Sequence, residues 1–114
     1  MRAVTHAELG GIYLFGQKSP QQAEPHYREA TAISPRAELY SLGLFHSLAG
    51  QGRWSDALAE MCRFLEHRAS DEYKDLLLGD GFTDMTLSTR EERELARKAR
   101  DLVARWNEGQ RRDD

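Results

Sequence analysis

The sequence predicts an all-α fold in which helices pair as hairpins. Three observations lead to this prediction: a 34-residue internal repeat, apolar residues that recur at the period of a helix, and turn signals that divide each repeat into two helices. A chain of 114 residues suits one domain and is short for two.

Composition argues against several classes of protein. The formal net charge is −3, and acidic and basic residues alternate along the chain, so neither nucleic acid nor an anionic membrane is an expected partner. A single cysteine, Cys62, cannot form an internal disulfide. No apolar stretch approaches the roughly 18 residues that span a bilayer, and the start of the chain lacks the apolar run of a signal peptide. We therefore expect a cytoplasmic protein.

The internal repeat appears when the chain is shifted by 34 residues. The residues that then coincide mark helix starts, helix ends and close-packing points, which indicates a repeated structural unit. The matches are Arg2-Ala3 with Arg36-Ala37, Leu14 with Leu48, Gly16-Gln17 with Gly50-Gln51, and Ala23 with Ala57.

The first repeat, residues 4–35, is predicted to be a helical hairpin that breaks at residues 16–20. Ser19 is a good N-cap for the second helix, and Pro20 suits its first turn because the missing N–H has no helical partner there. Ser34-Pro35 closes the unit.

The second repeat, residues 36–69, is predicted to have its turn at Gly50-Gln51-Gly52. The helix after this turn, residues 54–68, carries an apolar stripe at helical spacing. The stripe consists of Ala57, Leu58, Met61, Phe64 and Leu65.

Residues 70–107 are predicted to form either a degenerate third hairpin or a cap on the open end of the second repeat. Ser70 can cap a short helix that ends near Leu78, and a loop with the apolar residues Phe82, Met85 and Leu87 follows.

The clearest helix of the chain comes after this loop. Ser88 and Glu91 have the S-x-x-E spacing of a capping box, and Glu94 and Lys98 have the spacing of a favourable ion pair. We expect residues 108–114 to be a frayed polar tail. One face of the helix is apolar and consists of Leu95, Ala99, Leu102, Val103 and Trp106.

The residues that mark the repeats also carry a family resemblance. The first copy contains Leu9-Gly10-x-x-Tyr13, then Ala23-x-x-x-Tyr27-x-x-Ala30, then Pro35. The second contains Leu42-Gly43 and Gly52-Arg53-Trp54-Ser55-Asp56-Ala57. Both resemble the tetratricopeptide repeat (TPR). The helix around Pro25 is similar to that of kinesin-light-chain-like repeats, in which a proline also lies early in the second helix.

The resemblance covers about residues 4–71. It implies a short right-handed αα superhelix of TPR-like helical hairpins, and the last helix of the chain would then act as a C-terminal capping helix. We expect a single domain over residues 1–107.

Two alignments of the second repeat remain open. Aligning the alanines displaces Gly43 by two residues and puts Phe45 in a position usually given to a small side chain. Aligning Gly43 instead lengthens the turn between the helices. We prefer the longer turn, because Gly50 and Gly52 can adopt the conformations that it requires.

No arrangement of residues predicts catalysis, a metal or a cofactor. The four histidines lie about 20 residues apart, which gives no pair with metal-ligand spacing. His46 and Ser47 are adjacent on a helix and therefore point in different directions. We interpret Cys62 as a small core residue and His67 as a helix-end histidine, and we expect that the protein is not an enzyme.

The resemblance implies that the first helix of each hairpin lines a concave surface that holds a ligand. These two helices contain no Lys, Arg or Asn, so the resemblance does not extend to the carboxylate-clamp subfamily, which binds acidic tails of heat-shock chaperones. The sequence predicts an adaptor or scaffold that binds a protein or peptide partner through apolar and aromatic residues. The predicted binding residues are Tyr13, Phe15, Leu39, Tyr40, Leu42 and His46.

Three interpretations of these side chains remain open: ordinary core packing, a groove for a peptide, and self-association. A solenoid this short leaves its ends exposed, so a homodimer that buries a repeat end or the loop with Phe82, Met85 and Leu87 is one alternative. A second alternative is a small client-specific chaperone or regulatory subunit of the secretion-chaperone type.

Overall fold

The computed structural model describes residues 1–79 and 87–113, and the all-α prediction is confirmed for these residues. The helices are α1 (Ala3–Gly11, continued by a π-helical segment, Ile12–Gly16), α2 (Pro20–Ile33), α3 (Glu38–Ala49), α4 (Trp54–His67), α5 (Asp71–Leu78) and α6 (Arg90–Asp113). None of the described helices has the length and apolar character needed to cross a membrane.

Neighbouring helices pack along the chain. Turns over residues 17–19, 34–37 and 50–53 join α1 to α2, α2 to α3 and α3 to α4, and each of these pairs is in extensive contact. Because the turns are short, consecutive helices run antiparallel. The short helix α5 breaks this order, so that α4 packs against α6 as extensively as against α3.

The first helix ends in a way that the sequence does not predict. Its last turn is π-helical, with the Gln17 amide donating to the Ile12 carbonyl at 2.9 Å. Lys18 then adopts a positive φ of 52°, and α2 begins with Pro20 in its first turn. Ser19 occupies the predicted N-cap position, but its side chain accepts no capping hydrogen bond.

The ring of Tyr27, on α2, lies between two glycines from different helices. A Cβ atom built on Gly10 of α1 would come within 2.8 Å of one edge of the ring, and one built on Gly43 of α3 would overlap the other edge. Tyr27 is almost fully buried, and Ala23 and Ala30 on the same face of α2 have no exposed surface. Because glycine leaves room for the ring, both α1 and α3 can pack closely on this face of α2.

The two glycines reach the Tyr27 ring from different hairpins. Gly10 contacts one edge from within the first hairpin, and Gly43 contacts the other edge from the next hairpin. The turn over residues 50–53 is one residue longer than the turn over 17–19. Gly52, with φ of 75°, provides the left-handed conformation in this longer turn.

A buried polar network joins α3, α4 and α5. Ser41 donates to a carboxylate oxygen of Glu60 at 2.6 Å, and the Tyr73 hydroxyl lies 2.8 Å from the Ser41 hydroxyl. Arg63 binds the same carboxylate through two nitrogens, at 2.6 and 2.7 Å. Burial raises the pKa of Tyr73, so its hydroxyl stays protonated and can donate to Ser41. The buried charge of Glu60 is thereby compensated on several sides.

Helix α6 packs through four residues of the predicted apolar face and through Ala96, whereas the predicted Trp106 is 36% exposed. The four are Leu95, Ala99, Leu102 and Val103. Three polar contacts attach α6 to α4. The Trp106 indole donates to the Leu65 carbonyl at 2.6 Å, and the Cys62 thiol donates to the Leu95 carbonyl at 3.4 Å. The third is an ion pair at 3.0 Å between Lys98 and Glu66.

Two details at α6 correct the sequence predictions. Lys98 pairs with Glu66 of α4 rather than with Glu94, which pairs instead with Arg90 at 3.0 Å. The N-cap is Thr89, which accepts from the Glu92 amide at 3.1 Å, one residue later than predicted. The Glu92 carboxylate accepts from the Ser88 amide and hydroxyl, both at 3.4 Å. A second S/T-x-x-E pattern, Thr89 to Glu92, overlaps the first, and the buried position of Glu92 favours it.

The end of α6 also differs from the prediction. The helix continues to Asp113, so residues 108–113, predicted to be a tail, are helical. Arg, Gln and Glu are good helix formers, which allows the helix to continue beyond its packed face.

Glu24 connects the first hairpin to the turn of the second. Its carboxylate accepts from Arg28 at 2.7 Å, from Gln51 at 2.9 Å and from Arg53 at 2.6 Å. Burial opposes ionisation of Glu24, but hydrogen bonds from Gln51 and Arg28 hold the pKa of the carboxyl below the ordinary glutamate value.

Alanine at Gly43, which contacts the Tyr27 ring, and alanine at Gly11, which lies near the Tyr27 hydroxyl, should change the stability in opposite directions. We expect Gly43→Ala to lower the free energy of unfolding by about 1–3 kcal/mol, because the new methyl group overlaps the Tyr27 ring. Gly11→Ala is the matched control, since its Cβ would lie 3.4 Å from the Tyr27 hydroxyl, and it should raise stability by up to about 1 kcal/mol. Urea denaturation measures both, and equal effects would contradict the packing described for Tyr27.

The Glu24 cluster should make stability depend on pH in the acid range. A carboxyl whose pKa is lowered on folding stabilises the protein above its unfolded pKa, and this contribution is lost as the pH falls through the folded pKa. We expect Glu24→Gln to cost about 1 kcal/mol at pH 7 and to flatten the loss of stability below about pH 4. Glu29→Gln makes the same change at an exposed position of the same helix and is the control, and an equal effect of both variants on chemical unfolding would contradict the role of the Glu24 cluster.

Candidate functional site

The candidate site is a groove formed by the end of α1, by α3 and by the start of α5. It encloses about 340 Å³. Four of the six predicted binding residues line it, and Tyr27 and Gly43 form part of its wall. The lining residues are Phe15, Tyr27, Glu38, Leu39, Leu42, Gly43, His46 and Glu72.

The apolar part of the groove is unusually open to solvent. Phe15 and Leu39 are 70% and 72% exposed, whereas Leu42 packs partly against the core. Leu39, Leu42 and His46 lie at i, i+3 and i+7 along α3 and therefore share one face of that helix. Because Phe15 and Leu39 are so exposed, core packing does not account for them.

The structure does not place Tyr13 and Tyr40 in this groove. Tyr13 is half-buried, packs against the core and stacks on His26 with ring centroids 5.6 Å apart. Tyr40 is also half-buried and follows Leu39 directly, which rotates it about 100° away around the helix. The same angular argument separates Tyr13 from Phe15, so neither tyrosine can share the groove face with its neighbour.

The rim of the groove is acidic. Glu38 and Glu72 lie in the first turns of α3 and α5, where the helix dipole favours a carboxylate. The lining also includes His46, whose pKa is lowered by burial, with the charge of Glu72 opposing this shift. The rim therefore places two carboxylates beside an imidazole whose neutral form is favoured by burial, and none of the lining residues is Lys or Arg.

The predicted binding residues do not include the two acidic residues of the rim, Glu38 and Glu72. Glu72 lies on α5, which the 34-residue shift does not align with the first two repeats. Glu38 resembles any acidic residue at the start of a helix. Both residues lie in the first turn of a helix, and this position is the signal that could have identified them.

The loop predicted as an alternative self-association site is only partly described. Phe82 and Met85 lie outside the described residues. Leu87 is 2% exposed and belongs to the hydrophobic core, so within one molecule it is not part of the surface.

Ser47 and Cys62, which have nucleophilic side chains, make structural contacts. Ser47 donates to the Gly43 carbonyl at 2.8 Å, and burial raises the pKa of the Cys62 thiol. Within residues 1–79 and 87–108, no group of three or more His, Cys, Asp and Glu side chains is arranged to hold a metal ion.

Comparisons with known proteins give no relative for this chain. No protein-family model matches it, and neither curated proteins nor solved structures give a significant match. The groove is therefore interpreted from its own geometry and charge.

Proposed function

We propose that the chain is a protein-binding module that acts as an adaptor or scaffold. In this proposal its hairpins form a short right-handed superhelix of the tetratricopeptide type, with α6 as the C-terminal cap, and the groove holds an apolar segment of a partner protein. The observation that carries the proposal is the pair of large apolar side chains, Phe15 and Leu39, exposed in one groove.

Burial of these two side chains would provide a substantial part of the binding energy. Removing a Phe or Leu side chain from water contributes about 1.5–3 kcal/mol, and such residues are typical anchors of interfaces. The volume of about 340 Å³ is at the lower end for ligand pockets, which suits a few anchoring side chains better than a whole domain face.

The rim charges select the kind of segment that the groove binds. Glu38 and Glu72 favour a partner that places Lys or Arg beside its apolar anchors, and they oppose an acidic one. The proposed partner is thus a cationic amphipathic segment. This polarity is the reverse of that expected for a module that binds acidic chaperone tails.

Two packing features support the tetratricopeptide-like arrangement within the proposal. Gly10 and Gly43 contact the same tyrosine from the first helices of successive hairpins. Ala23 and Ala57, which coincide at the 34-residue shift, are both completely buried in the second helices. Small residues at matching places let successive hairpins approach closely, as a stacked repeat requires.

The groove can be tested with one substitution and a matched control. We expect Leu39→Glu to reduce partner capture from cells by about tenfold or more, because it places a charge among the apolar anchors. Leu78→Glu changes the same residue type at similar exposure, 66%, outside the groove and should capture partners normally. Circular dichroism should show that both variants are folded, as expected for exposed positions.

The same comparison separates the kinds of partner. Undiminished capture by Leu39→Glu would contradict the proposal. One stoichiometric client would favour a chaperone or regulatory subunit over an adaptor with several partners. If the partner is a second copy of the chain, light scattering should show a dimer for the wild type and a monomer for Leu39→Glu.

A further inference from the structure

Helix α6 carries a stripe of arginines on a surface separate from the groove. Arg90, Arg93, Arg97 and Arg100 lie at i, i+3, i+7 and i+10, so they follow one side of the helix over about 15 Å. All four are exposed, and together with Glu94 they line a shallow depression of about 440 Å³. None of these residues belongs to the face that packs against α4.

The two central arginines of the stripe, Arg93 and Arg97, carry positive charge that the described part of the fold does not use. Arg90 pairs with Glu94, but no ion pair joins Arg93 or Arg97 to any residue in the part of the chain that the structure describes. Arg90 is also the first residue of α6, where the helix dipole disfavours a cation. The helix dipole therefore does not explain the arginine at the start of the stripe.

The type of side chain indicates the chemistry of a ligand. All the cations of the stripe are arginines, whose planar guanidinium groups bind carboxylate or phosphate through two parallel hydrogen bonds. Their spacing matches that of acidic side chains along one face of a second helix, which could pair with them over about three turns.

We propose that this stripe is a second docking surface that binds an acidic helical segment of a partner protein. A nucleic acid fits less well, because its attraction depends on a long-range positive field and the chain has a net charge of −3. Glu91, Glu94 and Asp101 on the same helix weaken that field further. Ion pairs between guanidinium and carboxylate groups act at short range, so the net charge of the chain affects them less.

The stripe has a consequence for the function of the chain. The groove favours a cationic segment and the stripe an anionic one, and the two surfaces have no residue in common. A chain with both can hold two different partners at once.

A synthetic peptide tests the stripe without knowledge of the natural partner. The probe is a labelled helical peptide of about 14 residues with Glu at i, i+3, i+7 and i+10, and the comparison peptide has the same composition in scrambled order. Fluorescence anisotropy measures their binding to the wild-type chain and to Arg93→Gln/Arg97→Gln. The matched control, Arg2→Gln/Arg105→Gln, makes the same change in net charge at exposed positions outside the stripe.

We expect the patterned peptide to bind more tightly than the scrambled one. Loss of Arg93 and Arg97 should weaken it about fivefold or more, whereas the control should bind within about twofold of the wild type. Equal binding of the two peptides, or an equal effect of both double variants, would overturn the proposal. So would a DNA oligonucleotide that binds more tightly than the peptide and depends on the same arginines. Thermal unfolding checks that every variant is folded.

Discussion

The ring of Tyr27 and the two glycines beside it determine how the first three helices meet. A side chain at residue 10 or 43 would occupy space that the ring already fills, so α1 and α3 can approach α2 only where they have glycine. The same ring and Gly43 are part of the groove wall. The close approach that holds the hairpins together therefore also brings Phe15 of the π-helical segment near Leu39 and Leu42 of α3. In this molecule the packing of the core and the shape of the candidate site depend on one contact.

The other half of the molecule is held by polar groups as well as by apolar packing. Tyr73 has no exposed surface, contacts the rings of Phe45 and Phe64, and lies beside the Ser41 hydroxyl that binds Glu60. These contacts fix α5 against α3 and α4. Glu72, the residue before Tyr73, is thereby held at the rim of the groove, near enough to His46 to influence its pKa. The buried network around Ser41 and Glu60 does not line the groove, but it holds α5 and therefore places the negative charge of Glu72 at the rim.

Much of the architecture follows from local sequence, and the exceptions have identifiable causes. Turn residues and apolar periodicity locate α1 to α6, because these signals depend on near neighbours. The π-helical turn over Ile12–Gly16 is an exception, because the local signals predict only that the first helix ends there. Overlapping S/T-x-x-E patterns leave the start of α6 ambiguous until the burial of Glu92 decides between them. The groove was predicted only in part: Phe15, Leu39, Leu42 and His46 line it, whereas helical geometry alone excludes Tyr13 and Tyr40. The spacing of the arginine stripe can be read from the sequence, but only the structure shows that Arg90 pairs with Glu94 and that Lys98 pairs with Glu66.

The contact between Tyr27 and the two glycines can be observed directly in solution. In a nuclear Overhauser experiment on the isotopically labelled protein, ring protons of Tyr27 should give cross-peaks to the α-protons of both Gly10 and Gly43. Cross-peaks to both residues in a monomeric sample would show that one ring joins the two hairpins. Cross-peaks to only one glycine, or to neither, would contradict the account, because α1 and α3 would then not meet on the same side chain.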